Sequence, residues 1–94
     1  MTFINQIKKL REEKQLPQRQ LAAALNIDTA TYCKIEKGDR RAKREQVDTI
    51  AELLNADKDE LLSLWLAEQV IDIIRDDKRI IDSILKIVKQ EIAK

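Results

Sequence analysis

Apolar residues recur every three or four positions along most of the chain, which is the spacing of helices with one buried face. The pattern predicts five or six helices, at about residues 3–14, 17–25, 29–37, 44–54, 58–74 and 80–92. Pro17 is predicted to lie just inside the second helix, Asp28 or Thr29 to cap the third, and Gly38 to close it. A charged stretch separates the last two helices.

The composition favours an all-α fold. The chain of 94 residues contains one Gly and one Pro, too few of the turn residues that a many-stranded sheet needs at its corners. Its abundant Leu, Ile, Ala, Lys, Glu and Arg lose little rotamer freedom in a helix. Separate hydrophobic cores arise only in chains beyond about 250 residues, so we expect a single core.

The residues that the chain lacks exclude several classes of function. It has no His and a single cysteine, Cys33, which removes Cys/His metal sites, internal disulfides and the commonest general base at neutral pH. We therefore expect no enzyme, no metal site and no cofactor. No apolar run approaches the roughly 18 residues of a membrane span, and residues 1–16 lack the continuous apolar stretch of a signal peptide. The expected location is the cytoplasm.

Charge is divided unevenly along the chain. Residues 1–47 carry 11 Lys/Arg against 6 Asp/Glu, whereas residues 48–94 carry 7 against 11, so a net charge of +1 conceals a basic front and an acidic back. A basic surface binds polyanions through counterion release and an acidic one repels them. Nucleic acid would therefore bind to the first half, unless these charges only solvate a helical surface.

Residues 18–35 have the spacing of two short helices joined by a three-residue turn. Such helices cross closely, so the crossing needs a small residue and the turn needs one that tolerates a positive φ. Ala22 and Asn26 meet these two requirements. The apolar residues predicted to face the crossing are Leu21, Leu25, Ile27, Tyr32 and Ile35. The outward face of the second helix would consist of Thr29, Ala30, Cys33, Lys34 and Lys37, which is the arrangement of a helix-turn-helix with an exposed recognition face.

Four segments resemble the Xre/Cro-like helix-turn-helix regulators, a family that includes lambdoid phage repressors and the controller proteins of restriction-modification systems. They are IKKLREEK at 7–14, QRQLA at 18–22, YCKIEKG at 32–38 and AELL at 51–54, within a resemblance over about residues 4–66. The resemblance implies a lambda repressor-like domain of about five helices over residues 1–67, followed by a helical extension over 68–94. The family usually has Gly where Asn26 stands and a β-branched aliphatic residue where Tyr32 stands. Tyr32 is therefore either core or directed outward towards DNA.

The resemblance also implies roles for single residues. Gln18 is expected to bind a phosphate and to brace the recognition helix. Arg11 and Glu36 occupy positions that pair with each other in relatives. Glu36 is therefore expected to brace the fold, while for Arg11 bracing and a DNA contact both stay open. The plainer interpretation of Gln18 is a hydrogen bond at the start of its helix. Cys33 is expected to be a bystander.

Base contacts are implied for Thr29, Ala30 and Lys34. A lysine donates hydrogen bonds to guanine O6 and N7, and a threonine hydroxyl either donates or accepts one. An alanine methyl makes an apolar contact with the thymine methyl. Their plainer interpretations are a helix cap and ordinary surface residues. The full set of predicted DNA contacts is Gln18, Arg19, Thr29, Ala30, Thr31, Lys34, Lys37, Arg40, Arg41, Lys43 and Arg44.

The last two predicted helices carry more apolar residues than a chain of this size covers. We therefore expect a homodimer, with the last helix repeating apolar pairs close to a heptad seam. The predicted dimer contacts are Leu62, Trp65, Leu66, Val70, Ile74, Ile81, Ile84 and Val88. In the alternative, the last helix folds back on the fifth within one chain, and both hold if the folded-back pair forms the shared surface.

These observations predict a transcriptional regulator that binds a palindromic double-stranded DNA operator as a dimer, of which a restriction-modification controller is one form. The alternative is an antitoxin or other interaction protein. Its C-terminal helices would then bind a protein partner, and DNA binding would serve autoregulation.

Overall fold

The computed structural model describes residues 2–94, and the regular secondary structure of these residues is entirely helical. The α-helices are α1 (Phe3–Glu13), α2 (Gln18–Ala24), α3 (Thr29–Lys37), α4 (Arg44–Leu53), α5 (Lys58–Ile74) and α6 (Ile81–Ile92), with a 3₁₀ segment (Arg75–Ile80) between α5 and α6. The expected all-α fold of about five helices with an extra C-terminal helix is thereby confirmed. Pro17 is the N-cap of α2, with φ −75° and ψ 155°, and not its first helical residue as predicted.

One hydrophobic core lies among α1 to α5. Its buried apolar side chains are Phe3, Ile7, Leu21, Ala22, Tyr32, Ile35, Ala42, Val47, Ile50, Ala51, Leu54 and Leu61. Leu25 and Ile27 pack against it half-buried, so the five residues predicted at the α2–α3 crossing do face inward. Tyr32 has no exposed surface, which settles its two possible placements in favour of the core.

The helices α1 to α4 all end in the same hydrogen-bonded turn. In each, the first or second residue after the helix adopts a left-handed conformation. The N–H of the residue that follows it donates to the carbonyl five residues earlier in the chain, at 2.8–3.0 Å. The left-handed residues are Gln15 (φ 56°), Asn26 (58°), Gly38 (85°) and Asn55 (52°). The expectation that Asn26 takes a positive φ is thus confirmed. Three of these four turns are made without glycine, which explains how so glycine-poor a chain can form a compact helical domain.

A buried ion pair joins α1 to α3. The Nε and Nη2 atoms of Arg11 donate to Oε2 and Oε1 of Glu36 at 2.7 and 3.1 Å. The Nη1 atom of Arg11 donates to the carbonyl of Leu16 at 2.8 Å, so the same side chain also holds the turn before α2. Gln18 adds a bond from its Nε2 to Glu36 Oε1 at 3.2 Å. The side chains of Arg11 and Glu36 are only 13% and 3% exposed, and the predicted pairing is confirmed.

The pKa of Glu36 reflects two opposing effects. Burial on its own raises the pKa of a carboxyl group, but the hydrogen bonds to Glu36, chiefly from Arg11, outweigh it and hold this pKa below its usual value of 4.5. The neighbouring Tyr32 hydroxyl is itself buried without a hydrogen bond of good geometry to any residue of 2–94. Burial first, and then the nearby Glu36 charge, raise the pKa of Tyr32. Glu36 is therefore ionised and Tyr32 neutral at physiological pH.

After Trp65 the chain leaves the core. The Trp65 indole Nε1 donates to the carbonyl of Ala42 at 2.9 Å, and Glu68 Oε1 accepts the N–H of Phe3 at 2.7 Å. The 3₁₀ segment contains a kink at Asp77 (φ −120°, ψ 38°). Beyond it, α6 packs mainly against that segment, and none of its side chains is buried. The alternative in which the last helix folds back and buries its apolar face on α5 of the same chain is therefore not what the structure shows.

We expect Gln15→Gly to stabilise the fold. A left-handed conformation costs a residue with a Cβ about 1–2 kcal/mol, and glycine avoids this cost but loses more backbone entropy on folding. The net gain should be about 0.5–1 kcal/mol in the free energy of unfolding, measured by urea denaturation. Gln6→Gly, within α1, is the matched control and should be destabilising by about 1 kcal/mol. A destabilised Gln15→Gly variant would contradict the turn geometry.

We expect Arg11→Met to cost about 3–5 kcal/mol at pH 7, since it leaves the Glu36 carboxylate buried and unpaired. The wild-type pair contributes its stability above about pH 4.5 and loses it as pH falls through the lowered pKa of Glu36. In the variant, burial alone raises that pKa, so acidification should recover part of the lost stability. Urea denaturation between about pH 3 and pH 7 measures both signs. Equal pH profiles for the two proteins would exclude this role for the pair.

Candidate nucleic-acid interface

The two faces of α3 differ sharply. Tyr32, Ile35 and Glu36 are buried against the rest of the domain. On the opposite side Thr29 and Ala30 lie exposed in the first turn, and Lys34 and Lys37 lie exposed further along. The side that carries Glu36 is fixed by the ion pair, so the outward face is held in a definite orientation.

Cys33 is not on that outward face, contrary to the sequence-based expectation. It is half-buried, and its Sγ–H donates to Oε1 of Gln18 at 2.8 Å. Gln18 thereby uses both ends of its amide inside the protein, since its Nε2 already donates to Glu36. The amide braces α2 against α3, and its predicted phosphate contact requires that these bonds rearrange.

The start of α3 carries a negative charge that sequence reasoning left out of the site. Asp28 is the N-cap, and its Oδ1 accepts the N–H of Thr31 at 2.7 Å. Hydrogen bonding from Thr31 lowers the pKa of the Asp28 carboxyl, with smaller contributions from Lys34 and Arg40. Thr31 is itself half-buried beside this cap. An ionised carboxylate thus lies next to Thr29 and Ala30, where it repels phosphates and accepts hydrogen bonds. The only sequence signal for it was its suitability as a cap.

Exposed cations lie in the segments that precede and follow α3 along the chain. Arg19 belongs to α2, Arg40 and Lys43 to the loop after α3, and Arg44 to the first turn of α4. None of these four forms an ion pair with any residue of 2–94. They are therefore placed to meet a polyanion without first breaking an internal bond.

Arg41 differs from the other cations of this loop. Its Nη2 donates to Oδ2 of Asp72 at 2.8 Å, and Arg75 donates to Oδ1 of the same carboxylate at 2.9 Å. Arg41 and Asp72 are about half exposed, so the pair is open to solvent. The contact connects the loop between α3 and α4 (residues 38–43, here the basic loop) to the C-terminal part of α5. Sequence reasoning missed Asp72, because nothing in the spacing places residues 41 and 72 together.

The predicted dimer contacts fall into two groups. Leu62 and Trp65 pack half-buried against the core of their own chain. Ile74 and Ile84 are also half-buried, whereas Leu66, Val70, Ile81 and Val88 are exposed by 39–45%. The surface that remains uncovered therefore begins at Leu66, later than the sequence alone indicated.

Among residues 2–94, no helix is long and apolar enough to cross a membrane. No group of three or more acidic or cysteine side chains in the same part of the chain is arranged to hold a metal ion.

Comparison with known proteins identifies the motif. Residues 5–64, nearly two thirds of the chain, match the sequence model of the helix-turn-helix domain. Comparisons with curated proteins and with solved structures gave no match. The matched residues include all of α2 and α3 and the ion pair that joins α1 to α3. The chain belongs to the helix-turn-helix domain family of DNA-binding proteins.

Proposed function

We propose that the protein is a transcriptional regulator that binds a palindromic double-stranded operator as a homodimer. The observation that carries this proposal is the exposed face of α3, whose opposite side is fixed by the buried Arg11–Glu36 pair. A rigid helix that projects short and basic side chains fits the major groove, which admits one α-helix. Membership of the Xre/Cro-like branch, and control of a restriction-modification system as one of its roles, belong to this proposal and rest on the sequence segments alone.

Base readout is assigned to the N-terminal and central parts of the α3 face. Thr29 and Ala30 are short enough for close approach to base edges, and Lys34 reaches guanine O6 and N7. Lys37 and Thr31 lie at the margins of the same face. The Asp28 carboxylate accepts a hydrogen bond from cytosine N4 or disfavours phosphate at this point.

Phosphate binding is assigned to the exposed cations before and after α3. Arg19, Arg40, Lys43 and Arg44 would fix the position of α3 on the duplex without reading sequence. Arg41 would contribute only if it exchanges Asp72 for a phosphate, so we place it second to Arg40. Gln18, at the start of α2, would bind a phosphate only if its amide gives up its bonds to Glu36 and Cys33.

Dimerisation follows from the size of one recognition helix. A single helix covers only a few base pairs, and small regulators double their site through two-fold symmetry, with half-sites about one turn apart. The exposed apolar residues from Leu66 to Ile92 supply surface for the contact. The same surface also favours the second candidate, an antitoxin whose C-terminal helices bind another protein.

The proposal is tested by selecting binding sites from random duplexes and comparing two variants on the selected site. We expect two-fold symmetric sequences. Lys34→Ala should cost about 1–3 kcal/mol on the selected site, with a smaller loss on random DNA and relaxed preference at one base position. Arg40→Ala should weaken both DNAs alike and reduce the slope of log affinity against log salt by about 0.9.

The matched control for both is Lys58→Ala, which removes one exposed cation at the start of α5, paired with Glu52 and outside the proposed interface. It should leave affinity for the selected site nearly unchanged. Equal losses for Lys34→Ala on selected and random DNA would make Lys34 a backbone contact. A failure to enrich any sequence would refute sequence-specific binding and leave the antitoxin as the better hypothesis.

Dimerisation is tested by placing charge on the apolar face of α6. Ile84→Asp with Val88→Asp should give a monomer in sedimentation velocity and weaken operator binding about 100-fold or more, because two linked half-sites lose their avidity. Ser83→Asp with Gln90→Asp adds the same charge on the opposite face of α6 and should remain dimeric. If both double variants remain dimeric, the dimer interface lies outside the apolar face of α6.

A further inference from the structure

Two apolar helix faces remain uncovered in the single chain. The outer face of α5 carries Leu66, Val70 and Ile73 at helical spacing. The apolar face of α6 carries Ile81, Leu85, Val88 and Ile92. The first set spans 7 residue steps and the second 11, or roughly 10 and 16 Å of helix at about 1.5 Å per residue. The two faces do not cover each other within the chain.

The exposed area fits a dimer. Among residues 2–94, the large apolar side chains that are exposed lie between Leu66 and Ile92, from 39% to 78% exposed. Those on the two faces amount to between three and four whole side chains, on the order of 350 Å² of apolar surface per chain. Two chains then hold about 700 Å², which is the apolar share of an interface of about 1,200 Å², at the lower end of the standard size. A second copy of this chain is thus an occupant of the right size.

If each helix packs only on the same helix of the second copy, one of the two apolar faces stays exposed. If α6 packs only on α6 of the partner, Val70 and Ile73 stay 43% and 78% exposed on α5. If α5 packs only on α5, the α6 face stays exposed instead. In the reciprocal arrangement, α6 of each copy lies on α5 of the other. This covers both faces in both copies and satisfies two-fold symmetry.

The helix dipoles favour one direction. In an antiparallel pair the dipoles of α5 and α6 oppose each other, whereas in a parallel pair their like ends lie side by side.

We infer that the two copies exchange their C-terminal helices, with α6 of each lying antiparallel on the outer face of α5 of the other. This inference rests on the proposed homodimer and names the segment through which it forms. In that register Val70 lies opposite Leu85 of the second copy, and Leu66 lies opposite Val88.

Disulfide trapping between differently tagged chains tests the exchange. The background is full-length chain with Cys33→Ser, which removes the native thiol and keeps a donor for Gln18. Val70→Cys in one chain is mixed with Leu85→Cys in the other and oxidised. Cross-linking requires Cβ atoms within about 4 Å, so the 70–85 disulfide should form about tenfold faster than 85–85. Val70→Cys mixed with Val88→Cys is the matched control for direction and should be equally slow.

The outcomes separate this inference from the proposed function. Predominant 85–85 disulfide, or no disulfide between chains that sediment as dimers, overturns the exchange and leaves the dimer standing. Faster 70–88 than 70–85 cross-linking overturns the antiparallel direction. A monomer in sedimentation velocity contradicts both proposals. The substituted positions Val70 and Leu85 are 43% and 39% exposed, and circular dichroism verifies that the variants fold.

Discussion

The arrangement of this domain depends on one buried ion pair. Arg11 binds Glu36 through two hydrogen bonds and the carbonyl of Leu16 through a third, so one guanidinium fixes the end of α1, the approach to α2 and the inner side of α3. A buried pair is costly to desolvate, and its value is geometric more than energetic. It leaves α3 one orientation in which the carboxylate is satisfied. Gln18 and, through it, Cys33 extend the same constraint to α2.

The basic loop is constrained differently. Asp72 holds Arg41 and Arg75 together at the surface, so the loop after α3 and the outer part of α5 meet at one carboxylate. Exposed pairs of this kind contribute little stability, about 0–1 kcal/mol. Their weakness matters for an interface with a polyanion, because Arg41 can exchange partners at small cost. The C-terminal part of α5 and the basic loop are thereby in physical contact.

The sequence predicted most of the fold, and it predicted which residues of α3 are exposed, apart from Cys33. Helical spacing, the two caps of α3 and the left-handed turn at Asn26 follow from neighbours within a few residues, and each is confirmed. The placement of Pro17 inside α2 was wrong, since it is the N-cap of that helix. Sequence reasoning missed contacts between residues far apart in the chain, and it missed placements that depend on a small rotation about a helix axis. Nothing in the sequence joins Arg41 to Asp72, and the placement of Cys33 beside Gln18 depends on the exact angle between α2 and α3. The exposure of α6 also could not be derived, since an amphipathic helix packs equally well on its own chain or on another.

The exposed side of α3 has a consequence for how such a protein changes over time. Thr29, Ala30 and Lys34 are exposed, whereas the orientation of the helix comes from residues on its inner side. Under the proposed function, replacing the outward residues would alter which bases are contacted while the forces that fold the domain stay the same. Recognition and folding would then be carried by separate sets of residues on one nine-residue helix. New DNA preferences could arise in this scaffold by single substitutions that the rest of the molecule does not have to accommodate.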